Sequence, residues 1–336
     1  MNRKNCFDTV RHMAALMVLF SHHYALSGQL EPYILNFESL GGIAVIIFFS
    51  ISGFLISKSA MNSNDFVDFM SKRVKRIFPA LIPCSLIMFI VIGGFVNRHQ
   101  PNEYFTAEVF KNIISTISLN GFTNDGISDN FIHPGINGSL WTLPLEFLCY
   151  LITGLAVATW KRAEFFTFAF IFMVFMSIIL LINEYQILVF SIPLWLFFLR
   201  GSSFFLGAVL ALNYDKWKKK NVCLFIAIFL FMYAFSTYGK KIEYTVTCYI
   251  LVSFMTILIC TSFNDFLVNG RFDFSYGIYI YAFPVQQIII NYTNMPFFLS
   301  MSVSAAITII LAACSWHFVE KKALSKYSKK ILLKNE

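Results

Sequence analysis

Hydrophobic runs of about 20 residues alternate with short polar clusters along nearly the whole chain. They lie near 7–27, 41–58, 79–97, 139–160, 164–183, 222–238, 244–262, 273–292 and 297–319. A helix needs about 20 apolar residues to cross a hydrocarbon core ~30 Å thick, so each run predicts a membrane-spanning helix. The stretch 186–213 is less regular, because Arg200, Gly201, Ser202 and Ser203 interrupt it. We read 200–213 as a short span and 187–198 as an interfacial or re-entrant piece, with two helices as the alternative. The pattern therefore predicts an all-α fold, a polytopic membrane helix bundle of about ten transmembrane helices.

Ten spans put both termini on one side. With the N-terminus, 58–78, 161–164, 214–221, 263–272 and the tail after 319 on that side, it holds 20 of the 26 Lys and Arg residues. The other side holds five, and Arg11 falls within the first span. Cytoplasmic loops carry the excess of Lys and Arg, so both termini are expected in the cytoplasm. The largest outer loop is 98–138, rich in Asn and Gly. No composition break divides the chain, which predicts one membrane-embedded domain over 1–336, with a core at about 5–320 and a basic cytoplasmic tail over 321–336.

Composition sharpens this. Hydrophobic residues make up 57% of the 336 residues and charged ones 13%, with a mean hydropathy of +0.67; soluble chains carry about 25% charged residues. The net charge of +8 sits in short clusters between apolar runs, which suits membrane anchoring and argues against nucleic acid as a partner. The seven cysteines show no paired spacing, so neither disulfides nor a metal site is expected. The first apolar run lacks a small-residue cleavage site and reads as a retained helix.

That first run carries ionisable residues. In "VRHMAALMVLFSHH", Arg11 and His22 are eleven residues apart, about three helical turns plus 20°, so they share a helix face roughly 16 Å apart along the axis. An ionisable residue at the depth of His22 marks function by default, while Arg11 also fits simple snorkelling to headgroups. His23 points about 100° away, towards the outer rim. Further on, "FVDFMSKRVKRIFPAL" predicts an amphipathic helix in the cytoplasmic interface. Phe66, Phe69, Met70, Val74 and Ile77 lie on one face, basic residues on the other, and a break falls at Pro79. Its basic face suits anionic lipid or a phosphate-rich cytosolic ligand.

The span opening with "NGSLWTLPLEFLCYL" has Ser139 as its expected N-cap. It carries Glu146 into apolar surroundings, where the carboxylate either complements the helix N-terminus or orients an imidazole or a sugar hydroxyl. Trp141 and Tyr150 suit an interfacial belt or a sugar-stacking surface. Ser52, in "SISGFL", is a membrane hydroxyl that commonly bonds its own helix or a neighbouring one, and an acyl-Ser relay is the sharper alternative; Gly53 beside it reads as a packing residue.

Together these residues resemble the acyltransferase-3 family of integral-membrane O-acyltransferases. The resemblance rests on Asp8, Arg11 and His22 in "DTVRHMAALMVLFSH", on "GGIAVIIFFSISGFLIS" from Gly41 to Ser57, on Arg73, Arg76, Ile77 and Pro79, and on Trp141, Leu143, Glu146 and Tyr150. "FFLGAVLA", "FSYGIYIYAFPV" and "HFVEKKAL" with Glu320 add weaker marks. The chain departs from the family where many members carry a His shortly before the Pro of the ninth span: Ala282 and Phe283 precede Pro284 here. It is similar to the stand-alone bacterial form that O-acetylates O-antigen and exopolysaccharide, without an appended esterase-like domain.

The resemblance implies no bound cofactor. It implies a cytosolic acyl-CoA, commonly acetyl-CoA, as co-substrate, a hydroxyl of a surface or secreted glycan as acceptor, and a place in the bacterial inner membrane. CoA phosphates would then dock on Arg73, Arg76 and Arg11. His22 would act as general base or as a covalent relay, with Arg11 and Glu146 completing the catalytic set. Asp8, Trp141, Tyr150 and Ser52 would support the site or hold the acceptor. A transporter or flippase for a lipid-linked glycan is the main rival, because buried Arg, His and Glu also suit a transport path. A membrane sensor reading ligands on the loop 98–138 is the third.

Overall fold

The computed structural model describes residues 5–99, 101–120, 127–185, 187–189 and 192–324. Among them, ten helices reach 18 residues or more: α1 (Phe7–Leu26), α2 (Leu40–Met61), α3 (Phe66–Leu86), α7 (Thr142–Thr159), α8 (Glu164–Ile182), α9 (Leu194–Leu212), α11 (Lys220–Thr237), α12 (Lys241–Ser262), α13 (Ser275–Tyr292) and α14 (Phe297–Ser315). Short helices α4 (Gly93–Val96), α5 (Pro101–Tyr104), α6 (Ala107–Ile117) and α10 (Tyr214–Trp217) lie between them. Among the described residues the strands are confined to two-residue hairpins, Tyr33–Ile34 with Glu38–Ser39 and Leu188–Val189 with Ile192–Pro193. The fold is all-α and polytopic: among the described residues, eight helices are long and apolar enough to cross a membrane. Helices α1 and α13 match them in length but carry more polar side chains, including Arg11, His22 and His23 in the first and Gln286, Gln287 and Asn291 in the second.

The chain forms two compact units that interleave in sequence. The first takes 1–14, 33–70 and 145–271; the second takes 15–32, 71–144 and 272–336.

In the first unit α2 packs on α9 with backbone against backbone. A Cβ added to Gly53 would lie 1.7 Å from the Phe204 carbonyl oxygen, and one added to Gly207 would lie 2.1 Å from that of Ser50. Small residues at such crossings let membrane helices approach closely, as expected for Gly53. Phe7, Ile51, Phe54, Leu206, Trp217 and Phe254 fill the adjoining core.

The interruption at 200–203 does not break the chain. Helix α9 runs through it as one 19-residue helix, so the expected division into 187–198 and 200–213 is corrected. Its charge is neutralised in place. Arg200 pairs with Glu38 at 3.1 Å, donates to the Gly42 carbonyl at 2.9 Å, and lies 5.1 Å from the Tyr249 ring centre. Tyr249 in turn donates to Glu38 at 3.0 Å. A buried Arg whose charge is paired in this way does not end a helix.

In the second unit α13 packs on α14 and on the 3-10 turn Gly138–Trp141. A second correction concerns Pro79. Helix α3 continues through Pro79 and Pro83 and joins α4 by a π-helical segment, Ile87–Ile92; the run Phe66–Val96 is helical over 31 residues. Membrane helices tolerate proline where neighbouring groups satisfy the freed carbonyls. Phe69, Met70 and Ile77 are buried as their shared face predicts, whereas Val74 is 40% exposed and leaves that face. His23 is also corrected. It is fully buried, with Nε2 2.9 Å from Ser300 Oγ and Nδ1 3.2 Å from Gln286 Nε2. Gln286 also donates to the Leu19 carbonyl at 2.7 Å. His23 thus sits in the interior of its unit rather than at a rim.

Candidate active site

The residues singled out in the sequence fall into four polar clusters, two in each unit.

In the first unit, Arg11 forms a 2.6 Å ion pair with Asp8 one turn below it on α1. The pairing follows from the i, i+3 spacing, which brings side chains together on a helix. Thr9, beside them, anchors the same turn: its hydroxyl donates to Asp265 Oδ1 at 2.8 Å and its N–H to Oδ2 at 3.3 Å. Asp265 was not singled out in the sequence, because its partner lies 256 residues away. Burial acts to raise its carboxyl, but donors from the backbone of Asn269 and Val268 and from Thr9 outweigh this and hold it below the ordinary 3.8. A carboxylate held low stabilises the fold above its unfolded pKa and loses that contribution as pH falls through the folded one. The thermal stability of the wild type over Asp265→Asn is therefore expected to be constant above about pH 5 and to shrink below about pH 4. An advantage that grows on acidification contradicts this role.

The second cluster of this unit surrounds Glu146 on α7. Ser52 Oγ and the Tyr150 hydroxyl, the latter at 2.5 Å, both donate to Glu146 Oε1. Tyr150 reaches it by i, i+4 spacing, and Ser52 comes from α2, next to the close α2–α9 crossing. Ser52 therefore bonds a neighbouring helix, one of the two commoner expectations for a membrane hydroxyl. A carboxylate so satisfied is tolerated in an apolar setting.

In the second unit, His22 Nδ1 lies 3.3 Å from Ser139 Oγ, and the Phe283 ring packs edge-on to the imidazole at 5.3 Å. The expected cap is corrected here. Asn137 caps the turn Gly138–Trp141 by accepting from the Ser139 N–H at 3.1 Å, so the Ser139 hydroxyl is turned to His22 instead. Trp141 ends that turn, half-buried. Glu31, missed in the sequence because it follows the helix in a loop, accepts from Ser21 at 2.5 Å and lies within electrostatic reach of His22, as does His133.

The fourth cluster holds Arg76, paired with Asp273 at 2.6 Å. Asp273 also accepts from Ser275 Oγ at 2.6 Å, and the buried Glu320 lies within electrostatic reach of both Arg76 and Asp273. Arg73 stands one turn away on α3, half-buried like Arg76. Chemically, the four clusters offer an imidazole with a bonded hydroxyl, a carboxylate with two donors on one oxygen, and two guanidinium sites able to meet phosphate or carboxylate.

A family model described as an acyltransferase domain matches residues 4–318. The O-acetyl transferase of Shigella phage Sf6 is 54% identical over 333 residues, covering 99% of this chain and 100% of that protein. Nodulation protein 10 of Rhizobium leguminosarum bv. viciae is 32% identical over 178 residues, 47% of this chain and 46% of its own. The acyltransferase MdmB of Streptomyces mycarofaciens is 27% identical over 146 residues, 42% of this chain and 36% of its own. No solved structure matches the chain.

Proposed function

The chain belongs to the acyltransferase family whose model spans residues 4–318, and from that premise we propose that it moves an acetyl group from cytosolic acetyl-CoA to a hydroxyl of a cell-surface or secreted glycan. The observation that carries the proposal is the contact of His22 Nδ1 with Ser139 Oγ at 3.3 Å. If Ser139 accepts from Nδ1–H, the imidazole keeps its lone pair on Nε2. That nitrogen takes the proton of the acceptor hydroxyl as its oxygen attacks the thioester carbonyl. The carbon–sulfur bond then breaks, and the thiolate leaves as the CoA thiol on taking up a proton. A positioned general base contributes typically about 100- to 10,000-fold.

The other clusters supply binding. Both donors on Glu146 take Oε1, which leaves Oε2 to accept from a sugar hydroxyl, with Trp141 as a stacking surface for the ring. Arg73 and Arg76, with Arg11, take the donor's phosphates, because guanidinium forks bind phosphate bidentately. The Asp8 and Asp273 partners hold the Arg11 and Arg76 forks in orientation before the donor arrives. In this reading both termini are cytoplasmic, the protein resides in the bacterial inner membrane, and membrane lipid surrounds the helices. The acetyl unit and the oxygen acceptor are supported by the similarity to the phage O-acetyl transferase.

The test supplies labelled acetyl-CoA to the cytoplasmic face of sealed vesicles that contain the protein and lipid-linked glycan. Label is expected on the glycan, removable by mild base as an ester. Movement of unlabelled glycan across the bilayer without acetylation would favour the transporter and overturn the proposal.

A further inference from the structure

Helix α13 contains Pro284. Proline has no N–H, so the carbonyl four residues back, that of Ile280, receives no helical hydrogen bond from position 284. Ile280 is fully buried, and a buried carbonyl needs a partner. The partner comes from outside the helix: Asn137 Nδ2 donates to Ile280 O at 2.8 Å. The Cys84 thiol, a weak donor, approaches the same oxygen at 3.4 Å.

Asn137 is itself buried, 6% exposed, and both ends of its amide are used. Nδ2 holds the carbonyl that Pro284 leaves open, and Oδ1 accepts from the Ser139 N–H at 3.1 Å. The residue before Ile280 secures the other side of Ser139, since the Tyr279 hydroxyl donates to the Ser139 carbonyl at 2.5 Å. The backbone of Ser139 is thus tied to one turn of α13 through Asn137 at its N–H and directly at its C=O, and its side chain meets His22 at 3.3 Å. Phe283 of the same helix packs on the His22 ring, and a Cβ on Gly138 would come within 2.7 Å of that phenyl ring. A close fit of this kind fixes Ser139 against α13 rather than leaving it to loop motion.

We propose that Asn137 is a positioning residue for acyl transfer, seating Ser139 against His22 through the carbonyl that Pro284 leaves open in α13. The inference rests on the reading of His22 as the reacting base. It assigns to Pro284 a constructive part: the proline creates the acceptor to which the 137–139 segment is fastened.

The experiment measures kcat and the acetyl-CoA KM of the full-length protein in vesicles. It uses Asn137→Asp, Pro284→Ala and the double variant, with thermal stability recorded for each. Asn137→Asp keeps the shape and the acceptor that caps Ser139 but removes the donor. Loss of a buried hydrogen bond of this kind corresponds to a kcat fall of about 10- to 100-fold, with the acetyl-CoA KM within about twofold of wild type. Pro284→Ala restores an N–H that competes for Ile280 O, so it is expected to lower kcat about three- to tenfold and to leave little further loss when Asn137→Asp is added. Multiplying effects in the double variant, or unchanged kcat in Asn137→Asp, would overturn the proposal, as would a loss confined to KM. Should Asn137→Asp fail to accumulate, Tyr279→Phe tests the second tie. A kcat loss of about three- to tenfold at unchanged KM is expected there, and wild-type kcat overturns the proposal. His22→Ala run in parallel separates the two readings. Undiminished turnover in that variant removes His22 as the base and the proposal with it, whereas an impaired His22→Ala beside unaltered kcat, multiplying effects or a loss confined to KM in the Asn137 and Pro284 variants overturns the positioning role alone.

Discussion

His22→Ala is expected to lower kcat by about 100- to 10,000-fold, the range a general base supplies, while the acetyl-CoA KM stays near wild type. The donor's phosphates are assigned to arginines, so the imidazole contributes to the transition state rather than to ground-state binding, and such a loss appears in kcat and kcat/KM together. Folding is expected to survive. His22 is half-buried, and its ring is held by one hydroxyl and one phenyl edge. The neighbouring His23, fully buried and bonded at both nitrogens, is the imidazole on which packing depends. The pair of variants makes the contrast measurable. His22→Ala should accumulate in the membrane and fail to turn over, whereas His23→Ala should lose abundance first. Undiminished acetyl transfer by His22→Ala at normal abundance would remove the general-base assignment.

The helices were legible because a bilayer leaves a chain few choices. Runs of apolar residues must satisfy their backbone internally, and the sequence marks them by length alone. What it concealed were long-range partners. Arg200 looked like a break because Glu38, which neutralises it, is 162 residues away. His23 looked peripheral because its partners are Gln286 and Ser300, 263 and 277 residues on. Asp265 is hidden in the same way, with Thr9 256 residues away. Ser139 was a plausible cap by type, yet Asn137, two residues earlier, does the capping, and local propensity cannot rank two suitable cap residues so close together. Pro79 signals a helix stop in water, but in a long membrane helix the rule weakens. Local contacts are different. Asp8 with Arg11 and Glu146 with Tyr150 are joined at i, i+3 and i, i+4, spacings that a sequence displays directly. Ser52 and Ser139, the partners supplied by other segments, needed the fold.

Gly53→Val is expected to abolish accumulation of folded protein in the membrane. The added Cβ alone would stand 1.7 Å from the Phe204 carbonyl oxygen and 2.6 Å from its carbon. These are backbone atoms of α9, which no rotamer change can move aside, so α2 and α9 must part along the crossing that also holds Gly207 against Ser50. Overpacking a fitted core costs about 1–3 kcal/mol even where side chains can adjust. A forced separation of two helix backbones exceeds that range, and whole-domain stability is only about 5–15 kcal/mol. The consequence reaches the site, because Ser52, adjacent to Gly53, donates to Glu146, and a displaced α2 withdraws that donor from a carboxylate in an apolar setting. Gly94→Ala is the matching control. The Cβ there meets only the far edge of the Phe105 ring, at 3.0 Å, which can swing away, so near-normal abundance and turnover are expected. Membrane fractions quantified by immunoblot and fluorescence-detected gel filtration read both outcomes. Folded, active Gly53→Val at wild-type abundance would show that the α2–α9 approach does not limit the fold.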